Sequence, residues 1–425
     1  MKTDQIQKVH KDWYKLDLSA IVYPTLQRRD FSSVYRLSVL LKEDIDPEIL
    51  QRAVNLTMPR FPTYKAAIRK GVFWRYLEPN DRPGPFVQED VKNPCQPMHF
   101  KGNNRYLVRI YYYRNRIALE AHHSLGDGTG GMCVLQTLTA TYLRLKGHSE
   151  IENGGFVLDI LGIPDPGELE DAYMKYANAK VCPPRPGEKT YRVRGTKEPF
   201  YTLNIIDGIM SVSEVMRVAK SYNATITEYL NSVLLYALMQ KQESEWHLKL
   251  RPVKIAMPVN LRRFFPSRTL RNFITMIYPG IDPRLGEYTF EEIVTQVHNY
   301  MRYYLNEKLL RGDITTNAET QRNPFIRIVP LFIKDLVVRQ FYTKIQDKNS
   351  SAGLTNMGAL KVPETMKPYI ERFDIYMGQP FSTRTNCAIA SFEDILTINF
   401  ASSIAETDVC LLYTSPSPRD MRRSR

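Results

Sequence analysis

The residues best suited to chemistry are His122-His123-Ser124-Leu125-Gly126-Asp127-Gly128, a segment of the form H-H-x-x-x-D-G. Neighbouring side chains on a strand point to opposite faces, so the two imidazoles cannot do the same job. The alternation predicts Ile117, Leu119, Ala121 and His123 on one apolar face, with Glu120 and His122 on the other. His123 is therefore expected in the drier environment, at the strand end. A neutral imidazole there can take a proton from a hydroxyl, amine or thiol. Its ordinary pKa of about 6.5 leaves it mostly neutral at physiological pH. Gly126 and Gly128 permit a tight turn and a close backbone approach. Asp127 falls in that turn, where it can pair with an arginine and fix the loop.

Other chemistries fit less well. Two structural histidines in a core remain an open reading. A metal site built on His123 and Asp127 needs a third ligand, and no HxxxH or CxxC spacing supplies one; no metal is expected. A serine triad needs a nucleophile elbow, and the chain has no GxSxG. Ser124 lacks a base of its own and receives no role. The five cysteines, Cys95, Cys133, Cys182, Cys387 and Cys410, are odd in number and read as free thiols in a reducing cytosol.

The elements that must hold this motif alternate between strands and helices. Phe31 to Leu41 reads as a strand. Asp46 caps a helix that has Pro47 at its first position. GVFWRYL (71–77) reads as a strand. Tyr106–Tyr113 and Ile117–His123 read as a hairpin across an Arg-Asn-Arg turn. A helix follows from about Thr129 to Leu145 and ends at Gly147. The Pro- and Gly-rich stretch from Gly162 to Pro199 reads as a linker between two halves. Beyond it come a strand near Phe200–Ile206 and helices at 213–221 and 227–241, the second capped by Thr225 or Thr227. A strand at 254–259, one long helix over 288–310 and three strands carried by RFDIYMG, CAIASFE and ILTINFAS complete the second half. The fold class is α/β (α+β), with a mostly antiparallel or mixed sheet in each half. The alternation stops near Val409, and CLLYTSPSPRDMRRSR follows without a period. That ending is similar to translated adapter sequence.

HHSLGDG resembles the signature of the acyltransferase superfamily with the chloramphenicol-acetyltransferase fold. The resemblance extends over most of residues 11 to 409. It is carried by YKLDLSAIVYP, FSSVYRLSVLLKEDID, ITEYLNSVLLYAL, MPVNLRRFFPSRTLRNF and LTNMG, which are similar to the bacterial alcohol-acetyltransferase-like branch, a relative of condensation domains. The plant branch is disfavoured, because Asn399-Phe400-Ala401 stands where that branch carries DFGWG. The resemblance implies two subdomains, 1–180 and 181–410, with a tunnel between them, and a non-native tail at 411–425. It implies a catalytic set of His122, His123, Asp127 and Gly128, with His123 as general base and no covalent intermediate. Asp127 would be structural, ion-paired to Arg262, with Arg271 and Arg36 as weaker candidates. Thr355 or Asn356 would donate to the oxyanion. Asn260, Arg271, Asn272 and Phe273 would shape the tunnel or its CoA side. Acyl-CoA, as acetyl-CoA, would be a co-substrate, with no permanently bound cofactor. The acceptor would be a small alcohol or amine, and the protein a cytoplasmic monomer. A stand-alone condensation enzyme using carrier-protein thioesters, and a non-catalytic binder of the same fold, are the competing readings.

Composition sets the outer bounds. The chain has 425 residues, 43% hydrophobic and 24% charged, which excludes a collagen-like or largely disordered chain. The net charge is +13, of which the last fifteen residues supply +3 from four Arg and one Asp, leaving +10. These charges are scattered, with no run of the kind that makes a nucleic-acid arm, so no nucleic acid is expected as partner. A diffuse positive field by itself suits an anionic small-molecule ligand as well as RNA or a membrane surface. No apolar stretch reaches membrane-spanning length; the best, Ile326–Val338, is interrupted by Arg327, Pro330, Lys334 and Asp335. No secretory signal is visible at the N-terminus.

Overall fold

The computed structural model describes residues 13–27, 31–183, 187–199, 202–245, 249–344, 349–378 and 383–414. Most of these residues fold around two mixed sheets flanked by helices, so the α/β expectation holds. The first sheet has five strands in the order Ile370–Met377, Val34–Leu41, Arg116–His122, Val108–Tyr113 and Val87–Glu89. Only its last pair is parallel. The second sheet has seven strands. Its path runs Ile274–Ile277, Val253–Asn260, Ala352–Ala359, Thr385–Phe392, Ile395–Ser402 and Asn204–Ser211, with Gly280–Ile281 also paired to Val253–Asn260. Ala352–Ala359 is parallel to both its neighbours. A smaller antiparallel sheet joins Tyr14–Lys15, Arg75–Pro79 and Ala66–Lys70.

Val34–Leu41 is buried at all eight positions: helix Gly128–Leu145 presses on the face of Tyr35 and Leu37, and on the other face Arg36 closes onto Asp90 and Glu120. Helix Gly128–Leu145 lies against the first sheet and helix Pro47–Thr57 packs on it. Asp46 caps the latter through Glu48 N and Ile49 N, with Pro47 at the first position, as the spacing predicts. Thr225, not Thr227, caps helix Ile226–Ser244, in a capping box closed by Glu228. The hairpin around Arg114-Asn115 is present, with antiparallel strands Val108–Tyr113 and Arg116–His122.

The first sheet takes its outer strand, Ile370–Met377, from late in the chain. Phe373 pairs with Val39 and Tyr376 with Arg36. The same strand touches the second sheet, where Asn399 Oδ1 accepts from Ile375 N at 2.9 Å and Thr397 Oγ1 donates to Phe373 O at 2.8 Å.

Several local expectations are corrected. The helix expected over 288–310 is two, Phe290–Tyr304 and Glu307–Arg322. The chain breaks at Leu305, and Asn306 caps the second helix through Leu309 N. Gly71–Trp74 is not strand but the turn of a hairpin, closed by Gly71 N to Trp74 O at 2.8 Å. The stretch 162–199 does more than link. Helix Ala172–Tyr176 packs in a satellite core with Phe265 and Phe273, and Tyr191 and Val193 enter the core of the second sheet. Periodic structure does not end at Val409: Asp408–Thr414 is a helix, with Val409, Cys410 and Tyr413 buried against that same core. Residues 415–425, the greater part of the expected tail, lie outside the described residues. Helices Pro324–Ile328 and Leu331–Lys344 had no sequence expectation beyond a rejected membrane span.

Candidate active site

His123 stands one residue past strand Arg116–His122, where the chain leaves the first sheet toward helix Gly128–Leu145. Its backbone is pinned on both sides: N donates to Ser33 O at 2.8 Å, and O accepts from Asn272 Nδ2 at 2.9 Å. Its ring stacks on Tyr23, centroids 4.8 Å apart and 20° from parallel, and lies 4.6 Å from the ring of Tyr35. The residue as a whole is half-buried. Its Nδ1 is buried and has no well-formed hydrogen bond. Burial pushes the imidazole down to about 4, while the Asp127 charge and the Gly126 backbone act the other way.

His122 is the more deeply buried of the pair, fully closed from solvent. This reverses the expectation that His123 occupies the drier side. The strand lies inside the sheet, and its other face is filled by Glu120, Arg36, Asp90 and Arg109 in a buried ion network. Alternation therefore separates a charged face from an apolar one, and both are closed. Ser124 N donates to His122 Nδ1 at 3.2 Å, so Nδ1 is the acceptor and Nε2 carries the proton, 3.2 Å from Gln27 Oε1. Burial, then the neighbouring His123 and Arg109, push this ring down to about 3. Both nitrogens of His122 are committed to holding the loop.

Asp127 caps helix Gly128–Leu145, accepting from Thr129 N and Gly130 N at Oδ1. Its other contacts come from the far half of the chain. Arg262 NH1 approaches Oδ2 at 2.8 Å and NH2 approaches Oδ1 at 3.3 Å, while Phe273 N donates to Oδ2 at 2.9 Å. Arg262 also gives Nε to Thr269 O, NH2 to Arg271 O and NH1 to Asn260 Oδ1. The pair is closed on both members and joins the two halves. The capping role carries a sequence signal that the reading passed over: Asp immediately before a helix start.

The other site residues fall into three positions. Asn272 and Asn260 reach the motif: Asn272 holds His123 O and also Asp17, and Asn260 Nδ2 donates to Thr129 Oγ1 at 3.2 Å. Arg271 and Phe273 are buried. Arg271 turns to Asp17 and Lys15 O, and the Phe273 ring packs on Tyr173 and Tyr176. Phe273 serves the motif through its backbone N–H alone. Arg36, a weaker candidate for Asp127, pairs instead with Asp90 and Glu120.

Thr355 and Asn356 belong to strand Ala352–Ala359, not to a free turn. Asn356 spends its amide on Thr227 Oγ1 at 2.9 Å and its oxygen on Gly358 N at 2.7 Å. Thr355 points to the opposite strand face, the one on which Gly353 approaches Met377 of the first sheet. Two residues on, the sulfur of Met357 lies only 3.0 Å from where a Cβ on Gly128 would stand.

Close contact explains the glycines better than turn geometry does. Neither Gly126 nor Gly128 has a positive φ. A Cβ on Gly126 would lie 2.5 Å from Leu270 O, and one on Gly130 only 1.9 Å. The helix N-terminus is pressed onto the 269–273 segment at these two points. Tyr23, Tyr35, Gln27 and Gly130 were missed by the sequence reading, since lone aromatics and glycines carry no spacing signal. Among the described residues, no group of three His, Cys, Asp or Glu side chains is placed to hold a metal ion.

No known family profile matches the chain, and no curated protein matches it. Solved structures do. Polyketide synthase associated protein 5 from Mycobacterium tuberculosis superposes with a TM-score of 0.59 at 14% identity, over 95% of this chain and 97% of that one. Trichothecene 15-O-acetyltransferase from Fusarium sporotrichioides gives 0.59 at 13% identity over 94% of each chain. The starter condensation domain of rhizomide synthetase, solved in complex with C8-CoA, gives 0.57 at 11% identity over 94% of this chain and 90% of that one. The likeness covers nearly the whole of each chain and shows a shared two-lobed fold.

Proposed function

We propose that the chain is an acyltransferase that moves an acyl group, such as acetyl, from acyl-CoA to an alcohol or amine, with His123 as general base. The observation that carries this reading is the unequal state of the two imidazoles. His122 has both nitrogens committed and no exposure, whereas His123 is neutral, aromatic-walled and partly open.

With Nδ1 buried beside the Gly126 backbone, Nε2 is the nitrogen that meets the acceptor. It takes the hydroxyl or amine proton as the acceptor lone pair attacks the thioester carbonyl. A C–O or C–N bond forms and a tetrahedral oxyanion develops. Its collapse breaks the C–S bond, and the imidazolium returns the proton to the leaving thiolate, so CoA–SH departs and the enzyme is unchanged. Thr355 is the proposed oxyanion donor, since the Asn356 amide is already used. Asp127 and Arg262 position the loop and take no proton. The sites for donor and acceptor are proposed to lie between the lobes, where holding both substrates in register adds to the base catalysis. The condensation-domain likeness supports a second donor class, a carrier-protein thioester.

The test is release of free thiol from acetyl-CoA across a panel of alcohols and amines. The expected outcome is acceptor-dependent release that His123→Ala lowers by about 10² to 10⁴ with folding intact. Release only from carrier-bound thioesters would assign the donor to the second class. No release from either donor would leave a binding protein and overturn the proposal.

A further inference from the structure

A group of exposed apolar side chains lies on helices Pro324–Ile328 and Leu331–Lys344 and on the adjoining hairpin turn. Phe325 is 77% exposed, Phe332 73%, Val72 72% and Ile328 68%, and Leu336 and Val337 are also exposed. On the longer helix the exposed positions Phe332, Ile333, Leu336 and Val337 recur at helical spacing, so they form one outward face. The opposite side is anchored. Leu331 N donates to Val72 O at 2.8 Å, and Asp335 accepts from Arg75 and from Thr25 Oγ1. The hairpin turn, which also exposes Trp74, is thus continuous with the helix face. Monomers rarely leave so many large apolar groups together in water, and such patches mark interaction sites.

We infer that this face docks on an anionic lipid bilayer surface. The apolar groups protrude; with Phe325, Phe332, Val72, Ile328, Val337 and Leu336 all between 59% and 77% exposed, they form knobs that insert, not a groove that receives. The rim is basic. Between positions 319 and 339 stand Arg322, Arg327, Lys334 and Arg339 against two acids, Glu319, which pairs with Arg322, and Asp335, which pairs with Arg75, so Arg327 and Lys334 are the cations nearest the exposed face. Lys334 Nζ donates to the carbonyls of Phe73 and Arg327, and its ammonium lies below its ordinary range through partial burial and the neighbouring Arg327 charge. Apolar knobs with Trp and Phe, edged by Arg and Lys, match the chemistry of an interfacial anchor. A second copy of the chain fits less well, because a two-fold contact through this face would set Arg327 and Lys334 against their own copies. The described residues hold no helix long and apolar enough to cross a membrane, so the contact is peripheral.

The face is tied to the site. Thr25, which holds Asp335, lies in the short helix Tyr23–Leu26, whose Tyr23 ring stacks on His123. Docking itself does not depend on acyl transfer, and its test reads binding, not turnover.

The experiment is co-sedimentation of the full chain with vesicles of phosphatidylcholine alone and of phosphatidylcholine mixed with phosphatidylglycerol. Binding is expected to the mixed vesicles, weaker to the neutral ones and falling with added salt. The exposed substitutions Phe332→Asp and Leu336→Asp together should cut partitioning by at least about tenfold at an unchanged melting temperature. Arg327→Glu should erase the preference for the anionic vesicles. Leu285→Asp, exposed but outside the patch, should change nothing. Absence of binding to either vesicle, or binding indifferent to these variants, would overturn the inference. So would a concentration-dependent dimer abolished by the same changes without vesicle binding, which would mean a second copy covers the face.

Discussion

Two adjacent histidines are held differently: both ring nitrogens of His122 are hydrogen-bonded, whereas Nδ1 of His123 is buried without a well-formed partner among the described residues. Alternation read from the sequence separated them correctly but assigned the drier place to the wrong one, because a strand buried on both faces has no wet side. That fact depends on Ile370–Met377 and the ion network around Arg36, which lie far away in sequence. The pH behaviour follows from burial. Both rings fold with pKa values of about 3 and about 4, below the unfolded value near 6.5. The unfolded chain therefore binds more protons in that window, and stability rises with pH through it. The contribution is fully present above about pH 6.5 and is lost progressively as pH falls toward about 4 for His123 and about 3 for His122, by on the order of several kcal/mol in total. Urea melts at stepped pH should show this loss, reduced in His122→Gln. A flat profile between neutral pH and pH 5 would show that the rings are not held neutral by burial. By the same shift, the acid limb of kcat/KM should fall well below that of free imidazole wherever the fold persists.

At the scale of elements, the point of greatest consequence is the N-terminus of helix Gly128–Leu145. Asp127 caps it, pairs with Arg262 and accepts from Phe273 N, so one carboxylate closes a helix and binds the segment 262–273 to it. Removing the carboxylate leaves the guanidinium buried without its partner and the helix uncapped. Asp127→Ala should therefore destabilise by about 3–5 kcal/mol and lower activity with it, and Asp127→Asn, which keeps the cap, should lose less. Calorimetry decides: loss of activity at an unchanged melting temperature would move Asp127 from a positioning role to one on the reacting atoms. Much at this scale was legible. The Asp46-Pro47 start, the 108–122 hairpin and the strands ending the chain rest on local signals of capping and period. The break at Leu305-Asn306 was not seen, because the apolar period continues through it, although Asn is a residue that favours helix caps over helix interiors. Gly130 was not seen either, since what excludes a side chain there is a carbonyl 140 positions further along the chain.

At the scale of the whole molecule, lobes and halves of the chain do not coincide. A division at the Pro- and Gly-rich stretch after Gly162 leaves the first sheet without Ile370–Met377, whose ladder with Val34–Leu41 runs from Ile370–Leu41 to Met377–Tyr35. It also leaves the helix Gly128–Leu145 without Arg262, Asn272 and the Leu270 carbonyl. No linker composition could have announced this, because the late strand looks like any other alternating run and its partner is chosen by tertiary packing. Residues 1–180 expressed alone should therefore expose Val34–Leu41 as a long, flat, apolar edge, the kind of edge that pairs with another chain. The expected result is insoluble protein or soluble aggregates without a cooperative melt. Co-expression with residues 181–425 should restore a soluble complex, since the missing strand and the Arg262 contact return together. A fragment 1–180 that stays monomeric and melts cooperatively would show that the first sheet closes without its borrowed strand, and the second half would then be needed only for the Arg262, Asn272, Asn260 and Leu270 contacts to the motif.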